Sequence, residues 1–207
     1  MKKLHYIIIL ALICVLFMSG CDLQLFSPQT KKELTRGTIE GNAYTSDYAE
    51  ISFSVPDDWV YATDEEIAKI MGLSADMFAE AGLEFDKEAL KKSSIYDTMV
   101  QNPATGSNIV ILYENLLLIT GETKMTEEQY IDNVINQFET AQIYKCVYSD
   151  IKNESLCGNQ YKMLRIEMPD YNAFQYFLTR KVDKYMLSVI ISVFGDDDIS
   201  SILNYFA

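Results

Sequence analysis

Residues 159–194, NQYKMLRIEMPDYNAFQYFLTRKVDKYMLSVIISVF, decide the fold. They are rich in the aromatic and β-branched side chains that favour strands, and short turn signals interrupt them. Together with the residues just before them, they give four strand-like runs, 145–151, 159–168, 173–181 and 184–194, with turn signals at Asn153-Glu154, Pro169-Asp170 and Asp183-Lys184. Short turns between consecutive strands are typical of hairpins, so this half of the chain predicts an antiparallel meander.

Upstream of the meander, strand and helix patterns are mixed. Capping boxes at Thr63-x-x-Glu66 and Thr126-x-x-Gln129 mark the starts of two helices. The predicted strands are 43–45, 51–55, 96–101 and 108–113, and the predicted helices are 63–71 ended by Gly72, 74–82, 86–92, 126–142 and a closing helix from Ile199. Antiparallel strands with intervening helices predict an α+β domain in which an antiparallel β-sheet is flanked by helices.

The N-terminus has the pattern of an export signal. Two lysines precede Tyr6, and the twelve residues from Tyr6 to Phe17 carry no charge. A membrane-spanning helix needs about 20 apolar residues, so this run predicts a signal peptide over residues 1–20. The sequence Met18-Ser19-Gly20-Cys21 then resembles the lipobox of bacterial lipoproteins, although that family prefers leucine where Met18 stands.

This resemblance implies that Cys21 receives a lipid and becomes the first residue of the mature protein. The expected location is then the outer face of the cytoplasmic membrane, with the lipid on Cys21 as the contact with the bilayer. Residues 21–37 mix polar and charged side chains with Pro28 and Gly37, which predicts a lipidated N-terminus and flexible tether. Residues 38–207 form one predicted globular domain.

Composition excludes several classes of function. The single histidine, His5, lies in the predicted signal peptide, so Ser-His-Asp catalysis, Cys-His catalysis and imidazole zinc sites are not expected in the mature domain. Removal of residues 1–20, which contain two lysines, changes the formal net charge from −13 to −15. So acidic a surface repels phosphate backbones, and nucleic acid is not an expected partner. No cofactor or metal motif occurs in residues 38–207.

Residues 44–59, YTSDYAEISFSVPDDW, resemble the opening of domains with the PsbP/Mog1-like fold, which small lipoproteins of Firmicutes also contain. The later order of hairpin, long helix, meander and terminal helix is similar to that fold as well. The resemblance implies an antiparallel sheet with helices on both faces, an α/β/α sandwich. It also implies an adaptor or accessory role, and it brings no catalytic residues.

Two cysteines remain after Cys14 and Cys21 are assigned to the signal and the anchor. Cys146 and Cys157 flank a predicted hairpin turn in an exported protein, where a disulfide can persist. A turn centred at Asn153-Glu154 does not place them opposite one another. A disulfide and two buried free thiols therefore remain open alternatives.

Three further features have alternative interpretations. Asp196-Asp197-Asp198 could bind Ca²⁺, but it lacks EF-hand spacing, and aspartates before a helix favour a cap. Trp59 follows a strand directly, which favours a place in the core over a ligand groove. The apolar run Leu116, Leu117, Leu118 and Ile119 predicts an extra strand or buried crossover, or, if exposed, a partner-binding patch.

These observations favour a non-enzymatic surface lipoprotein that acts as a binding or accessory module for another envelope protein. The alternative is a carboxylate-dependent hydrolase of envelope glycans, because two facing acids meet in space rather than in sequence. It predicts a deep cleft with two acids in different environments. A third option, a transporter's substrate-binding lipoprotein, ranks last because the chain is short for two lobes.

Overall fold

The computed structural model of the protein describes residues 33–70, 72, 92–142 and 144–207. In these residues the strands are β1 (Thr38–Glu40), β2 (Ala43–Ser46), β3 (Ile51–Ser54), β4 (Val60–Tyr61), β5 (Ser94–Gln101), β6 (Asn108–Asn115), β7 (Val147–Tyr148), β8 (Lys152–Leu156), β9 (Asn159–Met168), β10 (Ala173–Val182) and β11 (Tyr185–Phe194). The helices are α1 (64–70), α2 (Leu116–Thr120), α3 (Glu127–Ala141) and α4 (Ile199–Leu203).

Several predictions fall on residues that are not described. They are the signal peptide, the lipid site Cys21, the helix 74–82 and most of the helix 86–92. Gly72, predicted to end α1, is itself helical. None of the described helices is long and apolar enough to cross a membrane.

The large sheet is antiparallel throughout, in the order β4-β5-β6-β11-β10-β9-β7, and β8 also pairs with β9. A second, antiparallel sheet has the order β1-β2-β3. The predicted α+β class with an antiparallel sheet is therefore confirmed. Strand β6, the predicted 108–113 strand, lies between β5 and β11.

One of the three predicted turns of the meander is wrong. Asn153 and Glu154 lie within β8, paired with Lys162 and Tyr161. The turn falls instead at Cys157-Gly158, where both residues have positive φ, 50° and 74°. A two-residue hairpin turn of this kind needs a left-handed backbone, which glycine adopts without steric cost. The predicted 145–151 strand is correspondingly reduced to β7.

The large sheet separates two hydrophobic cores. Helices α1, α2 and α3 cover one face, which we call the helix face; the other, the hairpin face, is covered by β2, β3, Trp59 and α4. Alternate residues of each strand point to opposite faces, so Phe177 joins the helix face and Leu178 the hairpin face. The predicted helices on both faces are present, but a small sheet covers much of the hairpin face.

The two predicted capping boxes are confirmed. Thr126 and Gln129 form a reciprocal capping box at the start of α3, and Thr63 and Glu66 do the same before α1. Along one side of α3, Tyr130, Ile131, Val134 and Phe138 are buried, and Ile135 and Ala141 are partly buried. A polar first turn and an apolar stripe are sufficient to fix the start and orientation of this helix.

Candidate binding cleft

A cleft of about 490 Å³ lies at the end of the large sheet where the β10–β11 hairpin meets the first described residues. Its lining residues are Glu33, Leu34, Tyr48, Ile95, Asp183, Lys184 and Tyr185. This volume is in the usual range for ligand sites, about 300–1,000 Å³. The lining combines apolar and aromatic side chains with two acids and one lysine, so it can hold an apolar group and orient a charged one.

The turn at residues 47–50 carries Tyr48 into the cleft. The Ala49 amide donates to Ser46 Oγ at 3.2 Å, and Arg180 donates to the Ala49 carbonyl oxygen. Arg180 also donates to Asn159 Oδ1 at 2.9 Å, so the turn is tied to β9 and β10 together. Glu50, at φ 53°, closes the turn in a left-handed conformation. Tyr48 is therefore held on a braced turn.

Three tyrosine rings form the wall behind the cleft. Tyr48, Tyr113 and Tyr185 contact one another edge to face, with centroids 5.8, 6.2 and 6.3 Å apart. Burial raises the pKa of Tyr113 to about 12, and burial together with the Asp183 carboxylate raises the pKa of Tyr48 well above its ordinary value. Both phenols stay protonated near neutral pH; Tyr48 donates to Asp183, and Tyr113 Oη is hydrogen-bonded to Ser46 Oγ at 3.2 Å. Edge-to-face pairs fix ring orientation, so this wall is rigid.

The two turn residues of the β10–β11 hairpin supply the charged groups. Asp183 has φ 53°, and its Oδ2 accepts a hydrogen bond from Tyr48 Oη at 3.3 Å. The Lys184 ammonium lies over the Tyr185 ring, 5.3 Å from its centroid. Such a cation–π contact contributes about 0.5–1 kcal/mol at an exposed site, so the lysine is easily displaced.

Helix α2 begins beside the cleft, since the Leu116 amide donates to the Lys184 carbonyl oxygen at 2.9 Å. The run at 116–119 forms a short helix and not the predicted extra strand. Leu116 and Ile119 are buried in the helix-face core, whereas Leu117 and Leu118 are 43% and 59% exposed. The candidate patch of four residues is thus reduced to two, which lie at the same end of the domain as the cleft.

A second cleft, of about 470 Å³, opens on the far side of α2. Its lining residues are Thr120, Glu122, Lys124, Met125, Gln129, Asp132 and Asn133. Lys181 of β10 braces its floor, because its ammonium donates to the carbonyl oxygens of Thr123 and Met125. This cleft has no aromatic wall, so the first cleft is the better-formed site.

The first described residues are bound to the domain through the buried Asp97. Asp97 lies where the β5–β6 register shifts between Tyr96 and Thr98. Its carboxylate accepts from the Gly37 amide at 3.0 Å, from Arg36 Nε at 3.3 Å and from Tyr44 Oη. Residues 36–37, predicted to belong to the tether, are therefore part of the folded domain. Leu34 packs against the hairpin-face core as well.

A second buried acid, Glu114, lies on the helix face. It accepts from Tyr130 Oη at 2.5 Å and from Ser94 Oγ at 3.2 Å, and Ser188 Oγ donates to Tyr130 Oη at 3.2 Å. Neither Glu114 nor Asp97 lines either cleft. The acids that do line the first cleft, Glu33 and Asp183, are exposed. Exposed carboxyls lack the desolvation that separates acid from base in a glycosidase.

The two cysteines are free and lie on opposite faces of the large sheet. Cys146 packs against the helix-face core and Cys157 against the hairpin-face core. Cys157 occupies the left-handed turn and contacts the Ser52 carbonyl oxygen at 3.3 Å. The candidate disulfide is therefore not formed. Burial raises the pKa of the Cys146 thiol, which lowers its reactivity.

The aspartate run does not form the predicted cap, and Trp59 lies in the core as predicted. Asp198 occupies the N-cap position of α4, but its side chain makes no capping hydrogen bond. In the part of the chain that the structure describes, no three acidic, cysteine or histidine side chains are grouped to hold a metal. Trp59 is buried and contacts Tyr205 edge to face at 5.6 Å, so it belongs to the core.

The sequence does not predict the cleft, although two of its parts carry local signals. Asp183-Lys184 is a predicted turn, and Tyr48 lies in the stretch that resembles the PsbP/Mog1-like opening. Nothing in the pattern indicated that these two segments meet, because Tyr48 and Asp183 are 135 positions apart. Short polar turns between strands have many spatial arrangements, and the fold alone selects one.

No protein-family profile matches the chain, and no curated protein matches it. Among solved structures, the chain is similar to cyanobacterial PsbP (CyanoP) from Synechocystis sp. PCC 6803, a solution structure. The two share 11% sequence identity with a TM-score of 0.44, over 88% of this chain and 98% of that one.

Proposed function

We propose that the protein is a lipoprotein of the outer face of the cytoplasmic membrane, anchored through lipidated Cys21. Its domain is then a non-enzymatic binding or accessory module for another envelope protein. One observation carries the binding role: the aromatic cleft lies beside the exposed Leu117 and Leu118 at the end of the domain where the chain leads back toward Cys21.

The chain length supports a position of this surface near the membrane. Twelve positions separate Cys21 from Glu33, a lining residue of the cleft. Fully extended, twelve residues span at most about 40 Å. With Cys21 held at the bilayer, the cleft lies within that distance of the lipid headgroups. A partner that reaches it is then an envelope protein in or close to the same membrane.

The surface chemistry supports binding rather than catalysis. The cleft has a rigid aromatic wall and exposed charges, which are the features of a recognition site. The mature chain contains no histidine, and Glu33 and Asp183 are both exposed. Neighbouring Leu117 and Leu118 add exposed apolar surface, a feature that marks interaction sites.

Site-specific photo-cross-linking in living cells tests the binding role. The full-length protein receives a benzophenone amino acid at Leu118 or, as a matched control, at Val147, which is 48% exposed on β7 at the other end of the sheet. We expect defined protein adducts from position 118 and none of the same size from 147. Identical adducts from both positions, or none from 118, would contradict the proposal.

The anchor is tested separately. Cys21→Ala removes the proposed lipid site, and we expect the protein to leave the membrane fraction and to lose label from radioactive fatty acid. Cys157→Ala, a free cysteine of the domain, is the matched control and should keep both. Unchanged membrane retention and labelling of Cys21→Ala would show that the anchor lies elsewhere.

A further inference from the structure

We infer that the aromatic cleft takes a cationic side chain, a lysine or arginine on the partner protein. The inference rests on the proposed function, because it names the chemistry that the binding surface recognises. The partner's ammonium or guanidinium would lie over the Tyr185 ring between Asp183 and Glu33. An apolar side chain next to it would contact Leu117 and Leu118.

The protein already places a cation at this position. The Lys184 ammonium lies 5.3 Å from the centroid of the Tyr185 ring, so this ring face accepts a positive group. Lys184 comes from the same hairpin and is held there by no ion pair among the described residues. A guanidinium stacks on an aromatic ring more strongly than an ammonium and is less strongly hydrated. A partner arginine can therefore displace the lysine.

The charges at the mouth of the cleft also favour a cation. Asp183 and Glu33 are exposed there, whereas Lys184 is the one base among the described residues that line the cleft. The mature chain as a whole carries a formal charge near −15, so it attracts basic segments at long range and repels an anionic bilayer. Charge complementarity thus selects a basic protein segment over the lipid surface as the occupant.

The hairpin allows the charges to be changed without disturbing the backbone. Asp183 has φ 53°, a conformation that asparagine adopts readily, and an amide oxygen still accepts from Tyr48. Asp183→Asn therefore removes the charge and keeps the turn. Lys184→Met removes the internal competitor. Asp170→Asn, on the exposed turn after β9 at the opposite end of the sheet, makes the same change of net charge far from the cleft.

Fluorescence anisotropy with the full-length lipidated protein in neutral detergent micelles measures the effect. The probe is a labelled peptide of alternating leucine and arginine, and a peptide with neutral citrulline in place of arginine is its isosteric control. We expect the arginine peptide to bind about tenfold more tightly than the citrulline peptide. Asp183→Asn should weaken it about fivefold, and Lys184→Met should strengthen it about threefold.

Three outcomes would overturn the inference: equal binding of both peptides, equal losses in Asp183→Asn and Asp170→Asn, or lipid adducts in place of protein adducts at position 118. Failure of this inference and failure of the proposed function are distinguishable. Protein adducts at position 118 without selectivity for arginine keep the binding role and reject the cationic ligand. Absence of protein adducts rejects the binding role itself.

Discussion

The two faces of the large sheet are built from different chemistry. The helix face buries mainly aliphatic and methionine side chains, with Phe138 and Phe177 in edge-to-face contact at 6.4 Å. The hairpin face also buries many aliphatic side chains, but it adds six tyrosines: Tyr44, Tyr48, Tyr113, Tyr161, Tyr176 and Tyr185. The helix face buries Tyr130. A buried phenol favours a hydrogen-bond partner for its hydroxyl, which an aliphatic side chain does not need. The hairpin face therefore contains more side chains whose orientation hydrogen bonds can fix.

The hydroxyl partners explain why the cleft opens on the hairpin face. Tyr44 donates to Asp97, Tyr113 lies 3.2 Å from Ser46 Oγ, and Tyr48 donates to Asp183. Asp97 and Ser46 are buried, whereas Asp183 lies on the exposed β10–β11 turn, so Tyr48 is the ring of the three that leads to the surface. Substitutions on the two faces should therefore differ in their effects on stability, and the largest expected effect is on the helix face.

Truncation in the helix-face core should cost the most stability. Phe177 is completely buried, and Phe177→Ala should lower the free energy of unfolding by about 3–5 kcal/mol through lost burial and a cavity. Urea denaturation measures the loss. The matched change on the same strand, Phe174→Ala, removes a partly buried ring under Arg165 and should cost markedly less. Equal losses would show that the helix face holds no special share of the stability.

Loss of the buried Asp97 charge should have the next largest effect. Asp97→Asn weakens the bonds from Arg36, Gly37 and Tyr44 together, so we expect a loss of about 2 kcal/mol in urea denaturation and faster protease cleavage near residue 36. Asp64→Asn is the control, since that exposed carboxylate pairs with the Nη2 atom of the same Arg36 at 2.9 Å. Unchanged cleavage in Asp97→Asn would show that the N-terminal segment is held by other contacts.

The hairpin face, which contains Tyr113, should lose stability in alkaline solution. Burial raises the pKa of Tyr113 from its ordinary value near 10 to about 12. The protonated phenol therefore favours the folded state; this contribution is complete below pH 10 and disappears as the pH rises to 12. We expect a loss of about 1 kcal/mol for each pH unit from this group, measured by urea denaturation between pH 9 and 12. Tyr113→Phe should show a shallower slope, and an identical slope would contradict the assignment.

Local signals in the sequence were enough for most of the fold but not for α2. Alternation, capping boxes and the Asp183-Lys184 turn predicted the central strands and α3. The run Leu116, Leu117, Leu118 and Ile119 has no resolvable period, because an apolar run of four fits a strand as well as a helical turn. The residues on either side of the run contain the signals for a helix. Asn115 caps the helix through its side chain, and Gly121 ends it at φ 75°.

The cleft depends on information that no local pattern contains. Its residues come from the N-terminal segment, the turn at 47–50, β5 and the β10–β11 hairpin. The strand order brings these segments to one end of the sheet, and that order is set by long-range pairing such as β6 with β11. Hydrophobic periodicity identifies strands but does not say which of them are neighbours, so the site could not be assembled from the sequence.

The smallest effect on stability should come from the exposed leucines of the proposed contact surface. Leu117→Ser and Leu118→Ser change exposed side chains, so each should alter the free energy of unfolding by less than about 0.5 kcal/mol. The same change at the completely buried Leu116 of α2 should cost several times more in urea denaturation. In cells, Leu117→Ser should nevertheless remove the adducts formed from position 118, because the apolar contact is lost while the fold is kept. Adducts that persist in a stable Leu117→Ser protein would place recognition in the cleft alone and make α2 only its neighbour.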